Sequence, residues 1–336
     1  MEISPVNNVN VVEMAAPDVI SKLISDKRSV ETKRAYQKDL EEFFSFFLPK
    51  SYLNPLKDFF VSNLGNQLTP ALVKNFLSLP KVKALEVALD YKASLLERNL
   101  SEATVNRKLS SLRALVSLAY SIGYCSYKLD GIPNEKMKTY RDTSGVGVEQ
   151  IAKALEIPDR TTLKGKRDYV ILLLLWENGL RRSEVINCDV KGFNKDDKTL
   201  LISGKGKGSQ KELIYLSDKT TRAIEQYLEI RNSTGIALFE NVDRAGKGNG
   251  RLSSQAIYYL VRDIFKKAGI SKLMSPHRVR HSAITAALDI TNGNIRSVQR
   301  FSRHSKLETL QVYDDNRHKY QADVTNLLSC ATLIED

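Results

Sequence analysis

Three of the four histidines in this chain fall in two short segments near its C-terminus, each flanked by arginine. The first reads Ser275-Pro276-His277-Arg278-Val279-Arg280-His281. Ser275 suits a helix N-cap and Pro276 the first helical position, so a helix starts here. His277 and Arg280, three apart, then share one of its faces. The second segment is Arg303-His304-Ser305. Ser305 and Glu308 have the spacing of a capping box, so another helix starts just after His304. It reaches Tyr313 before Asp314-Asp315-Asn316 breaks it. Upstream, Gly179-Leu180-Arg181-Arg182-Ser183-Glu184 places two arginines after a glycine stop, and Gly204-Lys205-Gly206-Lys207-Gly208 places lysines at a hairpin tip. Guanidiniums are permanently charged planar forks that fit oxyanions, and imidazoles exchange protons near neutral pH. Taken singly, each piece also has a plainer reading: a helix start, a solvated hairpin, an arginine pair balanced by Glu184, a core tyrosine.

The elements that must position these groups are mostly helical. Ser29 caps a helix carrying Ala35, Tyr36, Leu40, Phe43, Phe44 and Phe47 up to Pro49. Thr69-Pro70 opens a short helix, Lys81 to Leu96 forms a third, and Ser101 caps a fourth with Val105, Leu109, Leu112, Val116 and Tyr120 on one face. Four or five helices of this kind make a small bundle. Residues 1–20 read as a polar N-terminal arm, 21–130 as the bundle, and 131–148 as an exposed linker containing Pro133, Arg141 and Gly145. Beyond it, helices are expected at about 149–156 and 165–178, the second buried all round. Two β-type runs, 199–203 and 212–216, flank the Gly/Lys turn, with an earlier strand near Val190. From Asp218 onward the pattern is helical again. The fold class is mainly α, with a small antiparallel sheet in the second half.

Composition narrows the partners. There are 51 Lys and Arg against 39 Asp and Glu, a net charge of +12. Residues 201–310 alone carry about +10. That points to a polyanion, with nucleic acid first. The longest apolar run, Tyr169–Trp176, is far short of a membrane span. No basic-then-apolar leader opens the chain, so no secretory signal is expected. Cys125, Cys188 and Cys330 stand singly, with neither a disulfide framework nor zinc spacing, which fits a reducing cytoplasm.

The set of motifs, in this order, resembles the tyrosine recombinase (phage integrase) family, in its two-domain Cre-like or Xer-like form. The family's boxes read here as Gly179-Leu180-Arg181-Arg182-Ser183-Glu184, Gly204-Lys205-Gly206, Ser275 to His281, and Arg303-His304 followed by Tyr313. Thr32-x-x-x-Tyr36-x-x-Asp39-Leu40 and Thr104-x-x-Arg107-x-Leu109-x-x-Leu112-Arg113 resemble its core-binding domain. The likeness covers roughly residues 29–320. Arg303 stands where the family usually has glycine, Val279 replaces a usual leucine, and Phe301-Ser302 is atypical.

The resemblance implies a SAM-like helical bundle followed, over 149–320, by a catalytic domain of the DNA breaking-rejoining fold. It implies a site-specific recombinase working through a 3′-phosphotyrosyl intermediate and a Holliday junction, without metal, cofactor or ATP. Arg181, Arg280 and His304 would hold the non-bridging phosphate oxygens. Tyr313 would be the nucleophile, His277 its base, and Lys205 the acid for the leaving 5′ oxygen, with Lys207 the alternative. Glu184 and His281 would orient these groups. A type IB topoisomerase, a telomere resolvase and a non-catalytic DNA-binding regulator are the competing readings.

For DNA, the helix after Gly250 presents Gln255, Tyr259, Arg262, Lys266 and Lys267 opposite its apolar face, and the family places a DNA-reading helix in this region. Gln255 and Arg262 are expected at base edges and the two lysines on phosphates. Arg251, Arg278 and Lys207 are further DNA-binding candidates, as are Lys33, Arg34, Arg107, Lys108 and Arg113 in the first domain. The implied partner is double-stranded DNA with paired inverted half-sites, bound by a homotetramer without membrane contact. The tail, 321–336, would dock cyclically on a neighbouring protomer.

Overall fold

The computed structural model describes residues 18–48, 70–136, 145–204, 210–231, 233–242, 250–305 and a few positions beyond, namely 307, 310, 325, 326, 328 and 329. Contacts divide the chain into two compact units, residues 1–141 and 142–336.

In the first unit the described helices are α1 (Val19–Ser25), α2 (Val30–Phe47), α3 (Pro70–Leu77), α4 (Lys81–Glu97) and α5 (Glu102–Ser121). Ser29 caps α2 by accepting from Thr32 N at 3.3 Å. The spacing of Leu40, Phe43, Phe44 and Phe47 puts all four on one face, and all are buried. Phe43, Phe44 and Phe47 meet Phe76 of α3 edge-on, and Phe43 also meets Tyr91 of α4. Each such ring removed from water contributes about 2 kcal/mol, so this aromatic cluster anchors the bundle. Ser101 sits at the head of α5, but its hydroxyl meets Thr104 Oγ1 at 2.9 Å rather than a backbone N–H.

The expected exposed linker begins later than Gly131. Ile132 is buried in the first unit's core. Lys92 Nζ donates to Pro133 O, Arg113 to Ile132 O and to Asn134, and Asn106 exchanges two bonds with the Glu135 backbone. The other end closes early as well. Val146 N donates to Ser282 Oγ at 2.7 Å. A Cβ on Gly145 would stand 1.9 Å from that oxygen, so only glycine allows this approach.

The second unit is built around α7 (Leu163–Trp176), whose stretch from Arg167 to Leu175 is buried throughout. Around it pack α6 (Val148–Glu156), α8 (Arg182–Ile186), α9 (Asp218–Glu229) and α11 (Pro276–Ile290). Helix α10 (Ser254–Lys267) packs on α6, α8 and α11, and α12 (Ile295–Ser302) on α11. The sheet is antiparallel in the order β1 (Phe193–Asn194), β2 (Thr199–Ser203), β3 (Lys211–Tyr215), with Leu200 opposite Ile214. The strand expected near Val190 is instead a single 3₁₀ turn, Val190–Gly192, leading into the two-residue β1. Nor is the chain helical throughout after Asp218. The described residues between α9 and α10 are irregular, tied by the bridges Asp189–Ala237 and Glu240–Arg251. Among the described residues, no helix is long and apolar enough to cross a membrane.

Candidate active site

Three chain segments converge on one buried carboxylate. The first is the turn from α7 into α8. Gly179 adopts φ +54°, a conformation that glycine takes without strain, and turns the chain so that Arg181 becomes the N-cap of α8. Glu184, one turn into α8, accepts from Arg181 N at 2.8 Å and from Arg181 Nη1 at 2.7 Å. The second segment is α11. Ser275 Oγ accepts from Arg278 N at 3.3 Å, and Pro276 occupies the first turn. Arg280 projects inward and is 1% exposed. Its Nη1 donates to Gly179 O and its Nη2 to Ser302 O. The third is the end of α12, where Arg303 takes φ +57° and His304 follows.

Glu184 is fully buried, with Arg181 at 2.7 Å, Arg303 at 3.2 Å and Arg280 at 4.0 Å. Burial would raise its carboxyl pKa, but Arg303 and the hydrogen bonds from Arg181 outweigh that and hold it below the usual carboxylate range. His304 Nδ1 lies 2.9 Å from Ser302 Oγ, and its Nε2 lies 3.4 Å from Arg280 Nη2. Burial first, then Arg280, Arg181 and Arg303, push its pKa down to about 4. At neutral pH the ring is therefore uncharged and can donate from only one nitrogen. Arg280 can only donate, so Nε2 accepts from it and Nδ1 carries the ring proton towards Ser302 Oγ; donation from Nε2 to a phosphate takes the other tautomer, with the Ser302 hydroxyl turned to donate to Nδ1.

His277 and His281 sit one turn apart on α11, their Nε2 atoms 3.0 Å apart and their rings edge to face. Burial, then His277 and the surrounding cations, push His281 down to about 3, so it stays neutral. One of the two rings donates and the other accepts. His277 is exposed.

The structure thus brings together Arg181, Glu184, Arg280 and His304, and pairs His277 with His281. Lys205, Lys207 and Tyr313 lie outside the described residues, as does most of the tail. On α10 the apolar positions Ile257, Val261, Ile264 and Phe265 are buried, while Gln255, Tyr259, Arg262, Lys266 and Lys267 are exposed. Lys267 also pairs with Asp263 at 2.7 Å, and Arg262 lies over the Tyr258 ring.

Several of the expected DNA contacts make hydrogen bonds or ion pairs within the protein. Lys108 is 6% exposed and is held by Asp39 and Glu42, so it is a core ion pair and not a phosphate ligand. Arg251 uses its guanidinium on Ile186 O, Cys188 O and Asp189, which fixes the loop after α8. Arg278 donates to Leu273 O, and Arg113 ties down residues 132–134. Arg107 is bound to the buried Asp39 but remains 45% exposed; Arg34 is exposed and Lys33 half-buried. Arg303 and Ser302 carry site contacts that composition and spacing gave no reason to expect. Their only signal was that a charged residue stands in a helix-ending position that favours glycine.

The phage integrase family matches residues 146–319. A tyrosine recombinase of Synechococcus elongatus is 42% identical over 314 residues, covering 93% of both chains. Another, from Synechocystis, is 43% identical over 314 residues, covering 93% of this chain and 95% of that one. Among solved structures, the Tn1549 transposon integrase in complex with transposon right end DNA shares the fold, with a TM-score of 0.57 at 16% identity over 92% of this chain and 98% of that one. The XerH site-specific recombinase bound to its palindromic difH substrate gives a TM-score of 0.57 at 20% identity, over 75% of this chain and 73% of that one. With an arginine-rich site of this kind and near-full-length likeness to such relatives, the chain belongs to the phage integrase family, the tyrosine recombinases.

Proposed function

We propose that this recombinase cleaves and rejoins DNA through a covalent bond between Tyr313 and a 3′ phosphate. Its family makes it a tyrosine-type, site-specific recombinase with DNA as partner. The observation that supports the residue roles is the convergence of three segments, with Arg181 and Arg280 on the Glu184 carboxylate and His304 against Arg280. Two forked guanidiniums and a neutral imidazole N–H are donors suited to the charge that builds on non-bridging phosphate oxygens. In the proposed step the Tyr313 oxygen bonds to phosphorus, and His277 takes the phenolic proton. The bond to the 5′ oxygen breaks, and Lys205 supplies that oxygen's proton. The reverse attack by a new 5′-hydroxyl rejoins the strand, so the covalent intermediate conserves the bond energy.

Around this chemistry we place a homotetramer on paired inverted half-sites, exchange through a Holliday junction, cyclic docking of residues 321–336, and work in the cytoplasm. The two-unit division at about residue 141 fits a helical DNA-binding domain followed by a catalytic one. The exposed face of α10, with Gln255 and Arg262, is the proposed base reader. The deciding experiment is a nicked suicide half-site on which the cleaved flank diffuses away. The wild-type chain accumulates a covalent complex, whereas Tyr313→Phe binds the DNA and accumulates none. Undiminished trapping by the variant would remove Tyr313 from the role.

A further inference from the structure

Arg303 is oddly placed for a surface-rich basic residue. Its side chain is 7% exposed, and its backbone lies in the left-handed region, where a Cβ is unfavourable. What it gains is a set of contacts across two segments. Nη1 donates to Phe301 O at 2.8 Å and Asn178 O at 3.2 Å, and Nη2 to Gly179 O and Glu184 Oε2, both at 3.2 Å. Gly179 O is also the acceptor for Arg280 Nη1. One guanidinium therefore ties the 178–184 turn, which carries Arg181, to the 301–304 turn, which carries His304.

All of its Nη hydrogens are used within the protein, and Nε is buried without a hydrogen-bond partner. Arg303 has nothing left with which to reach a phosphate. Its charge still counts. Glu184 contributes one negative charge, and Arg181, Arg280 and Arg303 three positive ones, so the cluster carries a net two positive charges. Without Arg303 the carboxylate draws on Arg181 and Arg280 alone, and the net charge falls to one.

We infer that Arg303 is a positioning residue for strand cleavage: it bolts the Arg181 turn to the His304 turn and shares with Arg181 the charge of Glu184, so that the carboxylate holds Arg181 in place without neutralising the cluster. The inference rests on the phosphate-binding roles proposed for Arg181 and His304.

The test uses the full chain in single-turnover covalent trapping on the nicked half-site, with protein titrated so that apparent affinity and maximal cleavage rate separate. Arg303→Gly suits the left-handed backbone and removes only the side chain. It should cut the maximal rate about tenfold or more while changing affinity less than about twofold, the pattern of a lost arrangement rather than lost binding. Adding Glu184→Gln to Arg303→Gly restores the net charge of the cluster and should recover at least about threefold of the loss, a coupling that simple destabilisation would not produce. Cleavage by Arg303→Gly within twofold of wild type overturns the inference, and so does a folded double variant no faster than the single. Should Arg303→Gly fail to fold, as judged by Trp176 fluorescence, Arg303→Lys decides. It keeps the charge but lacks the fork, so a slower maximal rate at unchanged affinity supports the inference and a wild-type rate overturns it. If the wild-type chain itself traps no DNA, the active-site reading has failed, an outcome distinct from any of these.

Discussion

Gly179 is the position where backbone geometry and catalytic geometry meet, and Gly179→Ala measures that link. Two separate costs follow from the structure. The residue sits at φ +54°, and a Cβ there costs about 1–2 kcal/mol against the following carbonyl. The new methyl would also stand 3.1 Å from Cε1 and Cζ of the Phe301 ring, so the ring must retreat by a few tenths of an ångström. Phe301 is only half-buried, so this overpacking costs near the low end of the usual range, about 1 kcal/mol. A stiffer unfolded chain returns about half a kcal/mol. The net loss is then about 2 kcal/mol, or roughly 4–8 °C in the melting temperature of a unit this size. The chain has a single tryptophan, Trp176, three residues before Gly179 in the second unit, so its fluorescence in urea reports that unit alone. Phe301→Ala in the same background removes the ring contact but not the backbone cost, so about half of the Gly179→Ala penalty should persist there. A penalty under about 0.5 kcal/mol in the wild-type background would refute the strain argument, and its complete disappearance with Phe301→Ala would refute the backbone share.

Other outcomes follow from the same contacts. His304 and His281, held at about 4 and about 3, bind no proton in the folded state at pH 5, whereas the unfolded chain binds one at each below about 6.5. Stability of the second unit should therefore fall as pH drops from about 6.5, levelling off near 4 for His304 and near 3 for His281, by roughly 1–2 kcal/mol per histidine after solvent screening; a flat urea midpoint between pH 7 and 4.5 would contradict this. Lys108→Ala leaves Asp39 buried with one cation fewer and should destabilise the first unit by about 3 kcal/mol without altering the salt dependence of DNA binding. Arg34→Ala, on the surface, should do the reverse and lower the log–log salt slope by about one; equal slopes for the two variants would show the assignment to be mistaken. Exchange of Arg262 should change which half-sites are selected from a random DNA pool, and a uniform loss of binding across all sequences would place it on phosphate instead.

How far the sequence could be read depended on how local each feature was. Ser29 and Ser275-Pro276 are local devices, and each helix start they mark is where the structure has it, while the helix expected to run to 178 before the Gly179 stop ends two residues sooner, at Trp176. Periodicity likewise placed α10 with its apolar side inward, because Ile257, Val261, Ile264 and Phe265 recur at helical spacing whatever they pack against. Lys108 shows the opposite case. Nothing near it in sequence announces a buried carboxylate, since Asp39 and Glu42 are more than sixty residues away. The same holds for Arg251, whose partners Ile186, Cys188 and Asp189 belong to a loop on the far side of the sheet sequence. Residues 131–136 looked like a linker because proline, glycine and charge usually mean exposure, yet buried Ile132 and hydrogen bonds from Lys92, Asn106 and Arg113, all distant in sequence, hold them on the bundle. The motif residues Arg181, Glu184, Arg280 and His304 were legible as a set, while the contacts of Arg303 to Glu184 and to the 178–179 carbonyls appear only once three segments meet.

The net charge of +12 can now be sorted by environment. Arg167 with Asp168 and Arg231 with Glu240 are buried pairs that cancel their own charge, and the charge of Lys108 is more than offset by Asp39 and Glu42, so these cations contribute to folding and not to the field a polyanion meets. The excess must lie on the surface and in the site. At the site, three guanidiniums against one carboxylate leave two positive charges, fixed in place before substrate arrives. A phosphodiester brings one negative charge in its ground state, and attack by a deprotonated tyrosine raises that towards two. A cluster of net two therefore gains most where the transition state is most charged, which is the condition for lowering a barrier rather than merely binding DNA. A third uncompensated arginine would strengthen ground-state binding to any phosphate along the duplex. On the proposed residue roles, Glu184 does more than complete the capping box with Arg181: it trims the cluster to the charge of the transition state, which would let tight binding come from the exposed lysines and arginines, where salt can weaken it.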